Sequence, residues 1–170
     1  MSAEVAVVYA HPCHDSFTAA IRSRVVDGAT SAGHTVSVID LHRGGVDPFA
    51  APLAEHLEVM RRAEIVVLVY PTWWGGQPAV LTGWLDRLAK EPDRALAGAR
   101  RVVAVTTHGS SKLANRLGGR PGYHVLRAFI RATTLQAKHT WIAFYKIDTA
   151  NEASRSAFLD LVRQRASALR

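Results

Sequence analysis

A chain of 170 residues, 48% of them hydrophobic, is long enough for one domain with a full core and too short to suggest two. Its net charge of +7 comes mostly from arginines scattered along predicted helices, with no Lys/Arg run, so it reads as solvated helix faces and no nucleic-acid partner is expected, although an anionic cofactor would be attracted. The single cysteine, Cys13, leaves no intrachain disulfide and no cysteine-based zinc cluster and fits a reducing, cytoplasmic setting, while the lack of a basic leader or a span-length apolar stretch predicts no membrane insertion.

The elements alternate along the chain. Val5 to Ala10 is a short apolar strand, and Ser16 to about Thr30 is a helix with Phe17, Ile21 and Val25 on one face and Gly33 as its cap. Thr35 to Leu41 is the next strand. A loop with Gly44, Gly45 and Pro48 leads to a helix near Ala54 to Arg62 that buries Leu57 and Met60. Glu64 to Tyr70 reads as a strand buried on both faces. After the loop Pro71 to Gln77, Pro78 opens a helix whose Leu81, Trp84, Leu85 and Leu88 recur at i, i+3, i+4 and i+7.

Arg101 to Thr107 is a fourth strand, followed by a long polar loop from His108 to Gly122. A helix from about Tyr123 to Thr133 carries Leu126, Phe129 and Ile130, and Thr140 to Ile147 makes a fifth strand. Thr149 to Glu152 has the spacing of a capping box, and the last helix runs on through Phe158, Leu161, Val162 and Leu169.

Five strands alternating with five helical patterns predict an α/β domain over residues 1–170, a parallel sheet covered by helices on both faces. Five strands suit the order 2-1-3-4-5, whose ligand crevice lies outside the carboxyl ends of the first and third strands. The loops there are His11 to Ser16 and Pro71 to Gln77.

Three segments at that edge carry candidate chemistry. In the first, a polar turn into a helix gathers free N–H groups and the positive end of the dipole, which suits a phosphate. Ser16 and Thr18 add hydroxyls and His11 a switchable charge, though Ser16 is equally well read as a helix cap. No Gly-x-Gly-x-x-Gly and no Walker lysine is present. In the second, Trp73 and Trp74 sit on a Gly-rich turn with no core to enter, which points to a ligand or an interface. In the third, Thr106, Thr107, His108 and Gly109 open either an ordinary polar turn or a set of N–H donors for developing negative charge.

Together, the His11-Pro12 to Ser16-Phe17 segment, the Pro71-x-Trp-Trp to Trp84-x-Asp86-Arg87 segment and Thr106-Thr107-x-Gly109 resemble the NAD(P)H dehydrogenase (quinone) family of flavodoxin-like flavoenzymes. Asp40-Leu41 and Asp47-Pro48 extend the likeness. The resemblance implies a flavin, FMN or FAD, with its phosphate on His11, Ser16, Phe17 and Thr18. Its ring system would lie on Pro71, Thr72, Trp73 and Trp74, and its pyrimidine edge would meet Thr106, Thr107, His108 and Gly109. It further implies a homodimer and a ping-pong cycle in which NADH or NADPH is the donor and a quinone or similar flat acceptor is reduced by two electrons.

The chain departs from that pattern in places. His108 stands where such proteins often have glycine, and Leu113, Ala114 and Arg120 lie near the offsets of a Tyr and a His that assist hydride transfer. Tyr123 and His124, a few residues on, are the remaining catalytic candidates and are read as easily as helix-start residues. Two rival functions are a flavodoxin-type electron carrier, against which the basic charge speaks, and an ancillary flavin-binding subunit of a redox-gated ion-efflux system.

Overall fold

The computed structural model describes residues 2–43, 54–91, 95–134 and 137–170. The expected loop of Gly44, Gly45 and Pro48, with Asp47, lies outside the described residues.

Five strands, β1 (Glu4–Tyr9), β2 (Thr35–Asp40), β3 (Ile65–Pro71), β4 (Arg101–His108) and β5 (Lys138–Tyr145), form one parallel sheet in the order β2-β1-β3-β4-β5. This is the doubly wound order expected from the alternation. All seven residues of β3 are buried, as a central strand covered on both faces requires, whereas β5 at the edge has no fully buried residue.

Alternation along the strands sorts the core into two layers. Ala6, Val8, Val66, Leu68, Val102 and Ala104 meet α2 (Ala54–Arg62), α3 (Ala79–Ala89) and α5 (Pro121–Thr133) on one face. Val5, Val7, Val67, Val69, Val103 and Val105 meet α1 (Phe17–Ser31) and α6 (Glu152–Ser167) on the other. Leu81, Trp84, Leu85 and Leu88 of α3 are all buried, and each leucine side chain removed from water contributes about 1.5–3 kcal/mol. Buried His34 joins the chain's two ends: Ala3 N–H donates to its Nδ1 at 3.1 Å, and its Nε2 donates to the Leu169 carbonyl at 3.1 Å.

Helix ends follow the local chemistry. Past α1, Gly33 takes φ +83° while its N–H donates to Thr30 O and the His34 N–H to Ala29 O, the paired bonds of a left-handed helix stop. The expected loop between β4 and α5 holds a short helix, α4 (Lys112–Leu117), which Ser111 caps by accepting from Ala114 N–H. With only six residues, and Leu113 and Leu117 both exposed, it carries too little periodicity to be read from sequence. α5 starts two residues earlier than expected because Pro121, like many prolines, is suited to a first helical position. The expected capping box is also displaced. Asn151 caps α6 by accepting from Ser154 N–H, and Thr149 instead donates to the Lys146 carbonyl within a 3-10 turn at Ile147–Thr149 that ends β5 short of Ile147.

Among the described residues no helix is long and apolar enough to cross a membrane, and no three His, Cys, Asp or Glu side chains cluster as metal ligands.

Candidate functional site

Because β1, β3 and β4 are neighbours and parallel, their carboxyl ends place the three expected segments side by side on one sheet edge. The His11 and Trp73 rings lie 6.2 Å apart, and Thr72 N–H donates to the Thr107 carbonyl at 2.8 Å.

The first segment folds back on itself. The Tyr9 hydroxyl donates to the Cys13 carbonyl at 2.9 Å and lies 3.3 Å from Ser16 Oγ, while Cys13 N–H donates to His11 Nδ1 at 3.0 Å. His11 Nδ1 also lies 3.1 Å from the Cys13 carbonyl, so either tautomer commits Nδ1 to Cys13, and Nε2 is the ring nitrogen left uncommitted. Burial raises the Tyr9 phenol above its ordinary range, with the Ser16 bond and Arg22 partly offsetting, so it remains a proton donor. Ser16 is the cap of α1, accepting from Ala19 N–H at 3.1 Å. The N–H groups of Phe17 and Thr18, at the first two helical positions, have no acceptor within the helix and form the positive end of its dipole. The Phe17 ring turns inward against Phe144 and Phe158 at 5.7 and 6.4 Å, and Thr18 is buried. Of Phe17, therefore, only the backbone is available to a ligand. Below the turn, Asp40 lies 3.8 Å from His14 Nδ1 and 3.7 Å from Arg22, which also sits over the Tyr9 ring at 4.6 Å.

The second segment inverts this economy. Trp73 N–H donates to the Gly76 carbonyl and Gly76 N–H to the Trp73 carbonyl, closing a two-residue turn in which Trp74 and Gly75 have φ of 51° and 79°. A left-handed conformation costs a residue other than glycine about 1–2 kcal/mol. The turn is latched to the start of α5: Gly122 N–H donates to the Gly75 carbonyl, and Gln77 Nε2 donates to the Gly122 carbonyl at 2.7 Å. A Cβ on Gly122 would stand 3.0 Å from the Gly75 carbonyl oxygen, so a larger residue there would push that carbonyl back by a few tenths of an ångström. Held this way, Trp73 is 44% exposed and Trp74 fully exposed.

The third segment is strand to its end. β4 runs on to His108, and Thr106, Thr107 and His108 are buried. Thr72 Oγ1 lies 2.8 Å from Thr106 Oγ1 and 3.4 Å from His108 Nε2, and Asn115 Nδ2 donates to His108 Nδ1 at 3.3 Å. With Nδ1 accepting and burial lowering the imidazole's pKa, His108 is neutral, its Nε2–H aimed at Thr72. Its ring stacks on Tyr145 with centroids 4.8 Å apart. Gly109 follows, where a Cβ would meet the Asp148 carboxylate at 2.5 Å.

Tyr123 and His124 stand apart from this edge chain. The Tyr123 hydroxyl pairs with His139 Nε2 at 2.9 Å, its ring meets Trp141 edge to face at 5.6 Å, and the Arg120 guanidinium lies over it at 4.8 Å. His124 is exposed and touches the Tyr123 ring edge-on.

Gln77, Gly122 and Asn115 are the residues that sequence reasoning passed over. Gln77 and Gly122 act through bonds that span more than forty residues, and Asn115 reaches back only to His108 but from a helix that could not be read from sequence; Gly122, next to Pro121 and ahead of the apolar stripe of α5, offered the one local signal.

Comparison with known proteins matches residues 3–169 to the family model described as flavodoxin-like fold. The human ribosyldihydronicotinamide dehydrogenase [quinone] is 23% identical over 156 residues, 68% of this chain and 68% of that protein. The glutathione-regulated potassium-efflux system ancillary protein KefF of Enterobacter sp. (strain 638) is 28% identical over 148 residues, 81% of this chain and 79% of that protein. The structure of an NAD(P)H:quinone oxidoreductase from Methanothermobacter marburgensis superposes with a TM-score of 0.79 at 23% identity, covering 98% of this chain and 96% of that one.

Proposed function

The chain belongs to the family of flavodoxin-like fold proteins, and from that premise we propose that it is an NAD(P)H-dependent flavin oxidoreductase. It reduces quinones or similar flat aromatic acceptors by two-electron hydride transfer in a ping-pong cycle. The observation that carries this reading is the latched turn, which holds Trp74 fully exposed at an unfavourable φ beside the open first turn of α1. Strain at a solvated aromatic is expected where the ring has work to do outside the fold.

The residues fit such a group. The uncommitted N–H groups of Phe17 and Thr18 suit its phosphate, and the faces of Trp73 and Trp74 suit its rings. FMN or FAD, when bound, supplies the hydride chemistry, with NADH or NADPH as the source. The chain's own part is to bind, orient and polarise. His11 Nε2 and the α1 terminus hold the anionic tail, Pro71 to Trp74 wall the flat pocket, and the backbone around Thr107 to Gly109 donates to the polar edge. Neutral His108 and Thr72 fix the Thr106 hydroxyl in place. A second copy of the chain covers Trp73, Trp74, Leu113 and Leu117, all exposed near this edge, and the single unit over residues 1–170 is the half of that dimer.

The test is the visible spectrum of the protein after flavin is added and the unbound fraction removed, then NAD(P)H with and without a simple quinone. Bound flavin that bleaches with the nicotinamide and recolours with the quinone is the expected result; a protein that retains no flavin overturns it.

A second reading, an ancillary flavin-binding subunit of an ion-efflux system, is favoured by the likeness to the efflux ancillary protein over most of both chains. It predicts flavin binding with poor quinone turnover and co-purification with a membrane partner.

A further inference from the structure

Beside the edge described above, on the far side of His108, the outer flank of the sheet opens into a recess of about 300 Å³ between α4, the start of α5 and β5. That is the low end of the volumes that hold small molecules. We propose that this recess is a binding site for a one- or two-ring aromatic anion, separate from the flavin site.

The walls are aromatic because of strand periodicity. Trp141, Ala143 and Tyr145 alternate on β5 and share a face, and Tyr123 reaches them from the first turn of α5. Tyr123 and Trp141 meet at 77°, so they form a corner, and the His108 ring stacked on Tyr145 closes the back. A planar ring entering there finds both faces and edges to pack on.

The rim is cationic. Lys112 and Arg120 line the recess with Asn115 between them in sequence, and no acidic side chain lines it. Neither cation has a carboxylate partner among the described residues. Arg120 is kept at the mouth by its place over the Tyr123 ring, at a left-handed backbone position of φ 48° just ahead of Pro121. Flat walls and an unneutralised positive rim together select a ring that carries a pendant negative group. An aromatic carboxylate and the 2′-phosphoadenosine end of a dinucleotide share that chemistry. The two sites share only His108, whose ring backs the recess; Lys112, Arg120, Tyr123 and Trp141, which would select the anion, lie outside the proposed flavin pocket, so anion binding is testable without flavin.

The experiment is calorimetric titration of the full chain, flavin-free, with 2-naphthoate, its neutral analogue 2-naphthalenemethanol, and 2′-AMP. We expect one-to-one binding of 2-naphthoate that is at least about tenfold tighter than binding of the neutral analogue. The exposed pair K112Q/R120Q should remove that difference while leaving flavin retention intact. The 2′-AMP arm tells the sources apart: tighter binding than 2-naphthoate assigns the recess to a phosphorylated adenosine, weaker binding to aromatic carboxylates. Equal affinity for the neutral analogue, K112Q/R120Q binding like the parent, no binding of either anion at millimolar concentration, or competitive displacement of 2-naphthoate by FMN would each overturn the proposal. Flavin retention without anion binding would leave the oxidoreductase reading standing, and anion binding without flavin retention would leave this one.

Discussion

The two loops that flank the crevice solve opposite problems. In the His11 to Ser16 turn the side chains are spent on the turn itself: the Tyr9 hydroxyl, His11 Nδ1 and Ser16 Oγ are all committed locally. What it leaves free is backbone, the first N–H groups of α1. In the Trp73 to Gly76 turn the backbone is committed, to itself and to Gly122, and the side chains are left outside. One loop offers point donors for an anion and the other offers faces for a flat ring. Side by side on one edge they describe a ligand with a charged tail and a planar head.

The sharpest way to break that comparison is to remove a face without removing the turn. Trp74→Ala should weaken flavin binding by about tenfold or more, the ~1–3 kcal/mol of one aromatic stacking contact, as read by fluorescence titration. Trp74→Gly should lose the same affinity yet be about 1 kcal/mol more stable than Trp74→Ala in urea, because only glycine relieves φ 51°. A strained, fully exposed tryptophan whose loss changed neither flavin content nor kinetics would take this loop out of the site.

Next in size is Ser16→Ala. Losing the cap of α1 costs about 1 kcal/mol, and the Tyr9 hydroxyl loses a neighbour at 3.3 Å. If the first loop works through its backbone, flavin affinity should fall only in proportion to fraying of the first turn, and Ser16→Asp, a good cap but an anion, should restore stability and not affinity. Recovery of affinity by Ser16→Asp would mean that no phosphate binds there. A smaller loss, of about 1 kcal/mol in stability, is expected for Thr72→Val, which removes the hydroxyl between Thr106 and His108.

How far this was readable from sequence follows the same division. The sheet order and the buried stripe of α3 came from periodicity, which is a local signal written in the order of apolar residues. The exposed tryptophans could be read as anomalies because nothing near them could bury them. The latch could not, since Gly122 and Gln77 meet only when α5 docks, 45 residues apart in the chain. Phe17 was legible as part of the apolar face of α1, but the partners of its ring were not. Its backbone sits at the crevice, but its ring is drawn into the Phe144 and Phe158 cluster, which only the packing of α1 on α6 and β5 creates. The loop after β4 was read as starting at His108 because histidine looks solvated, and pairing with Tyr145 of β5 carries the strand through it.

The smallest effect sets the buried third segment against the Trp turn through pH. His108 has its pKa lowered by burial, and so do His42 and His56, with burial the largest cause in each. An unfolded histidine takes up a proton near about pH 6.5. Below that value the unfolded chain binds protons that the three native sites refuse, so stability falls as pH drops towards the native values and is fully present above about pH 6.5. His108→Gln should be less stable than the parent near neutrality, having lost the Tyr145 stack and the Asn115 bond, yet should lose less on acidification from about pH 7.5 to about pH 5.5. Trp74→Ala removes no titrating group and should follow the parent's slope. Urea midpoints at the two pH values for the three proteins decide it: parallel loss in His108→Gln and parent would mean that His108 takes up its proton in the fold as readily as in the unfolded chain, so that burial does not keep neutral, on acidification, the ring that faces Thr72.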